Sequence, residues 1–185
     1  MEYIMLFIGI VAFSFSFFVC ALHHIHIYQL NYYKDKVQLN WIKKNIKDIA
    51  KKSSLLIIAL PFLIFTFDSY IMPVILSIIL IIVGLLNRQK NVKKPLVYTS
   101  RIKRLIATLG VIAYGTILAT YLISNSLQIS FILIDVLVLL IPILVLFANL
   151  LNKPINYLIN QYYINDARKI INNMPNLIVI GVTGR

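Results

Sequence analysis

The sequence predicts an all-α membrane protein with about five transmembrane helices, followed by an amphipathic helix and a short strand. Three observations lead there. Of 185 residues, 60% are apolar and the mean hydropathy is +0.86, well beyond what the core of a water-soluble domain needs. The apolar residues gather in runs long enough to cross a bilayer. Lys and Arg outnumber Asp and Glu 18 to 6 and sit in the short segments between those runs, the distribution expected of cytoplasmic loops.

The first span is placed at residues 3–22, whose length at about 1.5 Å per residue matches a hydrocarbon core of about 30 Å. It is read as a retained helix. Its leading residues carry Glu2 where a signal peptide would carry Lys or Arg, and Phe17, Phe18 and Val19 before Cys20 lack the small residues of a lipoprotein cleavage site. Cys20 has no partner for an intrachain disulfide and packs as an apolar side chain.

Residues 23–53 form a polar loop rich in Lys (Lys34, Lys36, Lys43, Lys44, Lys47, Lys51 and Lys52), with only Asp35 and Asp48 as acids. The apolar stretch 54–86 would reach about 50 Å as one helix, too long for an ordinary crossing. Asp68-Ser69-Tyr70, flanked by Pro61 and Pro73, offers a turn and divides it into spans 54–67 and 71–86. Charge supports the division. The next loop holds Arg88, Lys90, Lys93, Lys94, Arg101, Lys103 and Arg104 without an acid, and a helical hairpin keeps both basic loops on one side.

Spans at 105–123 and 129–151 follow, joined by an uncharged link. The N-terminus is then outside, the C-terminus is cytoplasmic, and the protein is multi-pass in the cell membrane. Residues 152–174 form an amphipathic linker helix, with Ile155, Ile159, Tyr162 or Tyr163, Ala167 and Ile170 near one face, Asn152 as a cap and Pro154 in the first turn. Met174-Pro175-Asn176 ends it, and Leu177 to Val182 reads as a short buried strand.

A basic balance can signal nucleic acid, but here the cations lie in short loops between apolar runs, so nucleic acid is not a partner. The bilayer is, and the basic loops are able to hold anionic lipid. His23 and His26 share a helical face as metal ligands can, yet no Cys or nearby acid completes a site. No metal site is assigned, and the imidazoles fit an interfacial helix end. Asp135, inside the last span, is either a functional carboxylate or a group hydrated or hydrogen-bonded near the outer boundary. Tyr3, Trp41, Tyr70, Tyr98 and Tyr121 fit an interfacial aromatic belt.

The chain ends on an apolar strand running into Gly181-Val182-Thr183-Gly184-Arg185. Glycines after a strand allow backbone N–H groups to face a phosphate. A full phosphate loop also needs Gly-Lys-Ser/Thr. Residues 154–184 resemble the join in bacterial Mur ligases that carry an N-terminal membrane region, and Gly181, Val182, Thr183 and Gly184 match the opening of that family's ATP loop. Arg185 departs from the family's Ser or Thr.

The resemblance implies that residues 175–185 start a nucleotide-binding domain of an α/β ligase, truncated at the start of its ATP loop. Gly181, Thr183 and Gly184 would be an incomplete ATP site. ATP and magnesium are the family's cofactors, with none expected in this fragment and no catalytic residue in it. The expected function is therefore the membrane anchor of a Mur-ligase-like, ATP-dependent peptidoglycan-precursor amide ligase, inactive as it stands. Cell-wall synthesis proteins would be partners. The alternative is a small independent multi-pass membrane protein with a structural or partner-binding role, and a transporter would need more polar groups near the midplane than Asp135.

Overall fold

The computed structural model describes residues 2–65, 71–88, 94–124 and 126–174, with side chains from Ile4 onward, and it divides the chain into two compact units, Met1–Leu150 and Leu151–Arg185. All regular structure among the described residues is helical: α1 (Glu2–Leu30), α2 (Asp35–Lys44), α3 (Ile46–Lys52), α4 (Ser54–Phe65), α5 (Ile71–Asn87), α6 (Ser100–Ser124), α7 (Leu127–Leu139) and α8 (Ile141–Asn172). The strand expected at 177–182 and the turn at Asp68-Ser69-Tyr70 lie outside the described residues.

Among the described residues, three helices are long and apolar enough to cross a membrane: Ile4–Leu30, Ser100–Ser124 and Ile141–Asn172, with mean hydropathies of 2.5, 1.9 and 1.2 over their most apolar windows. Helices α4, α5 and α7 are apolar but shorter. Large side chains remain exposed along the long and the short helices alike, Ile123 of α6 at 86% and Phe65 of α4 at 82%. A surface with so much apolar area matches hydrocarbon better than water.

Several boundaries differ from the sequence reading. Helix α1 does not stop at residue 22 but continues to Leu30, because nothing between Leu22 and Leu30 breaks a helix and His24, Ile25, His26 and Tyr28 are buried. The loop assigned to 23–53 holds the end of α1 and two further helices, α2 and α3. The span placed at 129–151 breaks at Leu140, between α7 and α8. Pro142 has no N–H to return to position 138, so the helical ladder is interrupted there.

The linker helix assigned to 152–174 is not a separate element. Helix α8 runs through Asn152 and Pro154 to Asn172, so Asn152 is no cap. A helix interior accommodates Pro154 at the cost of one ladder bond. Ile155, Ile170 and most of the apolar side chains on this part of α8 are exposed.

Within the first unit the helices alternate in direction. Ser16 Oγ on α1 donates to the Leu80 carbonyl on α5, and His23 on α1 lies beside Asn87 at the end of α5. The two helices therefore run parallel, and α4 between them runs back: Lys52 precedes it near Asn87, while Leu63 and Ile64 near its end accept from Gln128 Nε2 at the start of α7, at 2.9 and 3.1 Å. Helix α6 is antiparallel to α1, since Tyr114 donates to Ser14 Oγ at 2.8 Å while Ile106 lies near Leu22. Helix α7 parallels α1, with Phe131 against Gly9.

Close approach depends on Gly9 and Gly84. A Cβ at Gly84 would lie 3.1 Å from the Ser16 Cα, so its absence allows the α1 and α5 backbones to meet. The core is formed by Phe13, Ile25, Leu80, Leu109, Phe131 and Val145 with their neighbours.

Candidate functional site

The direction of α1, α5 and α6 brings a cluster of polar residues, from Tyr28 to Asp35 with Arg101, to one end of the first unit. There α1 closes on two residues in left-handed conformation, Tyr32 (φ 54) and Tyr33 (φ 56), with Tyr33 N–H donating back to the Tyr28 carbonyl at 3.0 Å. That bond is the longer of the pair that ends a helix in a Schellman turn. The turn delivers Asp35 to the start of α2, where a carboxylate also complements the helix dipole.

Around Asp35 a polar knot forms. Tyr28 Oη donates to Asp35 Oδ1 and sits 3.1 Å from the Tyr33 carbonyl. Asn149 Nδ2, from α8, donates to the same Asp35 oxygen at 3.1 Å. Arg101, from α6, donates to Asn149 Oδ1 at 3.3 Å and lies 4.1 Å from the centre of the Tyr33 ring, a cation–π geometry. The Gln29 side-chain amide pairs with both backbone groups of Val97, each at 3.1 Å. Three distant segments, α1–α2, the entry of α6 and the start of α8, are thus held by hydrogen bonds.

Beside the knot opens a cleft of about 570 Å³ between the ends of α1 and α5 and the α2–α3 pair, bounded by His23, His24, Trp41, Asn45, Lys52 and Asn87. His24 is buried, its ring against His23 at 5.2 Å and Trp41 at 6.2 Å, and its Nδ1 has no hydrogen-bond partner among the described residues. Lys51 and Lys52 also line it, as does Asp48. The chemistry offered is that of an anion seat with an aromatic wall.

Gly181, Thr183 and Gly184, assigned to a nucleotide, lie outside the described residues. Among the described residues no group of three or more His, Cys, Asp or Glu is placed to hold a metal, so His23 and His26 have no third ligand. Asp135 is 0% exposed in α7 and neither carboxylate oxygen has a hydrogen-bond partner among the described residues. Asp135 is thus enclosed by the described residues of the bundle. Of the aromatic belt, Trp41 is a cleft wall, Tyr121 packs on the core and Tyr98 is exposed.

Sequence reasoning missed the knot. Its only local signal was Asp35, one of two acids in a segment of many lysines. Nothing in the sequence linked it to Asn149. No family model, no curated protein and no solved structure matches the chain.

Proposed function

We propose that the first unit is a multi-pass membrane anchor with five crossings, formed by α1, α4, α5, α6 and the α7–α8 pair, with the N-terminus outside and the basic end in the cytoplasm. The observation that carries this reading is the alternation of helix direction together with charge. The ends that meet at the polar knot carry Lys34, Lys51, Lys52, Arg88, Arg101 and Arg104, while Ser124, Ser126 and Gln128 at the opposite end carry none. Positive charge on one side sets orientation.

On this reading the segment after α8 is held beside the cytoplasmic leaflet. The resemblance of residues 154–184 supports a Mur-ligase-like, ATP-dependent amide ligase as the machinery anchored there, with Gly181, Thr183 and Gly184 opening its ATP loop and magnesium as the metal. The nucleotide sequence past codon 185 tests it: Gly-Lys-Thr/Ser within a few codons supports the ligase. A stop codon followed by unrelated sequence favours the independent membrane protein.

Topology is tested separately. With Cys20 replaced by Ser, single cysteines at Ser69 and Ser100 are exposed to a membrane-impermeant maleimide on whole cells. Labelling at Ser69 alone is expected. Labelling at Ser100 from outside, with Ser69 protected, would sink the hairpin.

A further inference from the structure

We propose that the cleft between α1, α3 and α5 is a binding site for the phosphate headgroup of an anionic phospholipid, and that the acyl chains run along the adjoining groove. The inference rests on the membrane reading above and adds a ligand to it.

Four features of the cleft favour that occupant. Lys51 and Lys52 close it from the last turn of α3, and neither ammonium makes a hydrogen bond or ion pair among the described residues. The one acid in its lining is Asp48, so the wall carries net positive charge. Asn45 and Asn87 add side-chain amides, although each already donates to a carbonyl of its own helix, at 2.8 and 3.0 Å. His24 brings a buried imidazole whose Nδ1 has no hydrogen-bond partner among the described residues. A phosphate accepts from ammonium, amide and imidazole N–H together.

The second part of the site decides between a lipid and a free phosphate. His23 lines both this cleft and a groove of about 490 Å³ whose walls are Phe15, Phe18, Val19, Leu22 and Leu85. Arg88 and Tyr98 lie with His23 in the same groove. Since α1 and α5 are parallel, the groove residues Phe15, Phe18, Val19 and Leu22 extend away from the polar end, toward the bilayer interior on the membrane reading. A cationic cleft and an apolar groove thus meet at His23. Inorganic phosphate would use the first part and gain nothing from the second, whereas a phospholipid matches both. The lysines also complement the C-terminal dipole of α3, but that role does not require the groove.

The chain's single tryptophan, Trp41, is a wall of the cleft, so the native protein carries its own reporter. The full chain in neutral detergent is titrated with dihexanoyl phosphatidylglycerol, dihexanoyl phosphatidylcholine or inorganic phosphate while Trp41 emission is read. A saturable change is expected with phosphatidylglycerol, at a concentration where the other two give none. Lys51→Ala with Lys52→Ala should weaken it by about tenfold or more. Lys43→Ala with Lys44→Ala removes equal charge outside the cleft and should leave it unchanged. Asp48→Asn should tighten it several-fold, which keeps the test alive if the lysine variant fails to fold.

Equal weakening by the two lysine pairs would overturn the site in favour of general surface attraction. An equal response to inorganic phosphate would overturn the lipid. Either result leaves the membrane reading intact if Ser69 and Ser100 label as expected, so the two failures are distinguishable.

Discussion

Asn149 donates its side-chain amide to Asp35 at 3.1 Å across a separation of 114 positions, and its own oxygen accepts from Arg101. One buried amide thereby joins a carboxylate on α2 to a guanidinium on α6. The consequence is a helix bundle whose basic end is tied by polar groups, while its apolar length is held by packing.

Removal of that amide should loosen the tie. Asn149 is only 3% exposed, so Asn149→Ala takes one donor from the half-buried Asp35 and the acceptor from Arg101, and is expected to cost about 1 kcal/mol. Thermal unfolding in detergent, followed by circular dichroism, should show a lower midpoint. An unchanged midpoint would mean that the knot contributes nothing net.

The two left-handed tyrosines should respond in opposite directions. Tyr32 is 81% exposed with φ 54, so Tyr32→Gly relieves strain of roughly 1 kcal/mol without losing a contact and should raise the midpoint. Tyr33 shares the strain, but its ring lies under Arg101 and edge-on to Tyr28. Tyr33→Gly should therefore be neutral or destabilising, and the comparison is made in the same melting experiment.

Gly9 faces the buried ring of Phe131, where an added Cβ would lie 2.6 Å from Cζ. Gly9→Ala is expected to destabilise by about 1–3 kcal/mol through overpacking. Phe131→Leu in the same chain should recover part of that loss. Additive effects of the two substitutions would show that the contact between α1 and α7 is looser than described.

Asp135 carries a carboxyl group that is fully buried and without a hydrogen-bond partner among the described residues. Replacement of such a group by an apolar residue of similar size is neutral or stabilising, so Asp135→Leu should hold or raise the melting midpoint. A drop of several degrees would reveal a partner for this carboxylate.

Much was legible in the sequence because it depends on short-range properties. Apolar runs and the segregation of Lys and Arg from them are visible residue by residue, and they led to a helical chain with spans long enough for a bilayer. Helix ends were less legible. The polarity of His23, His24 and His26 suggested a helix end, yet with His24 and His26 buried α1 stays helical to Leu30. Pro142 carried the signal for the break at Leu140, but within an apolar run its effect was masked by hydropathy.

What the sequence determined alone was therefore composition along the chain: which segments prefer hydrocarbon and which carry charge. The helical character of the apolar runs follows from that, but α2 and α3, the extension of α1 to Leu30 and the break at Leu140 do not. Tertiary structure decided which residues meet. Asp35, Arg101 and Asn149 lie far apart in the chain, and only the direction and register of α1, α6 and α8 bring them within hydrogen-bonding distance. The cleft of His23, Trp41, Lys51 and Lys52 has the same origin, because a ligand site is a property of facing surfaces, and no single helix contains it.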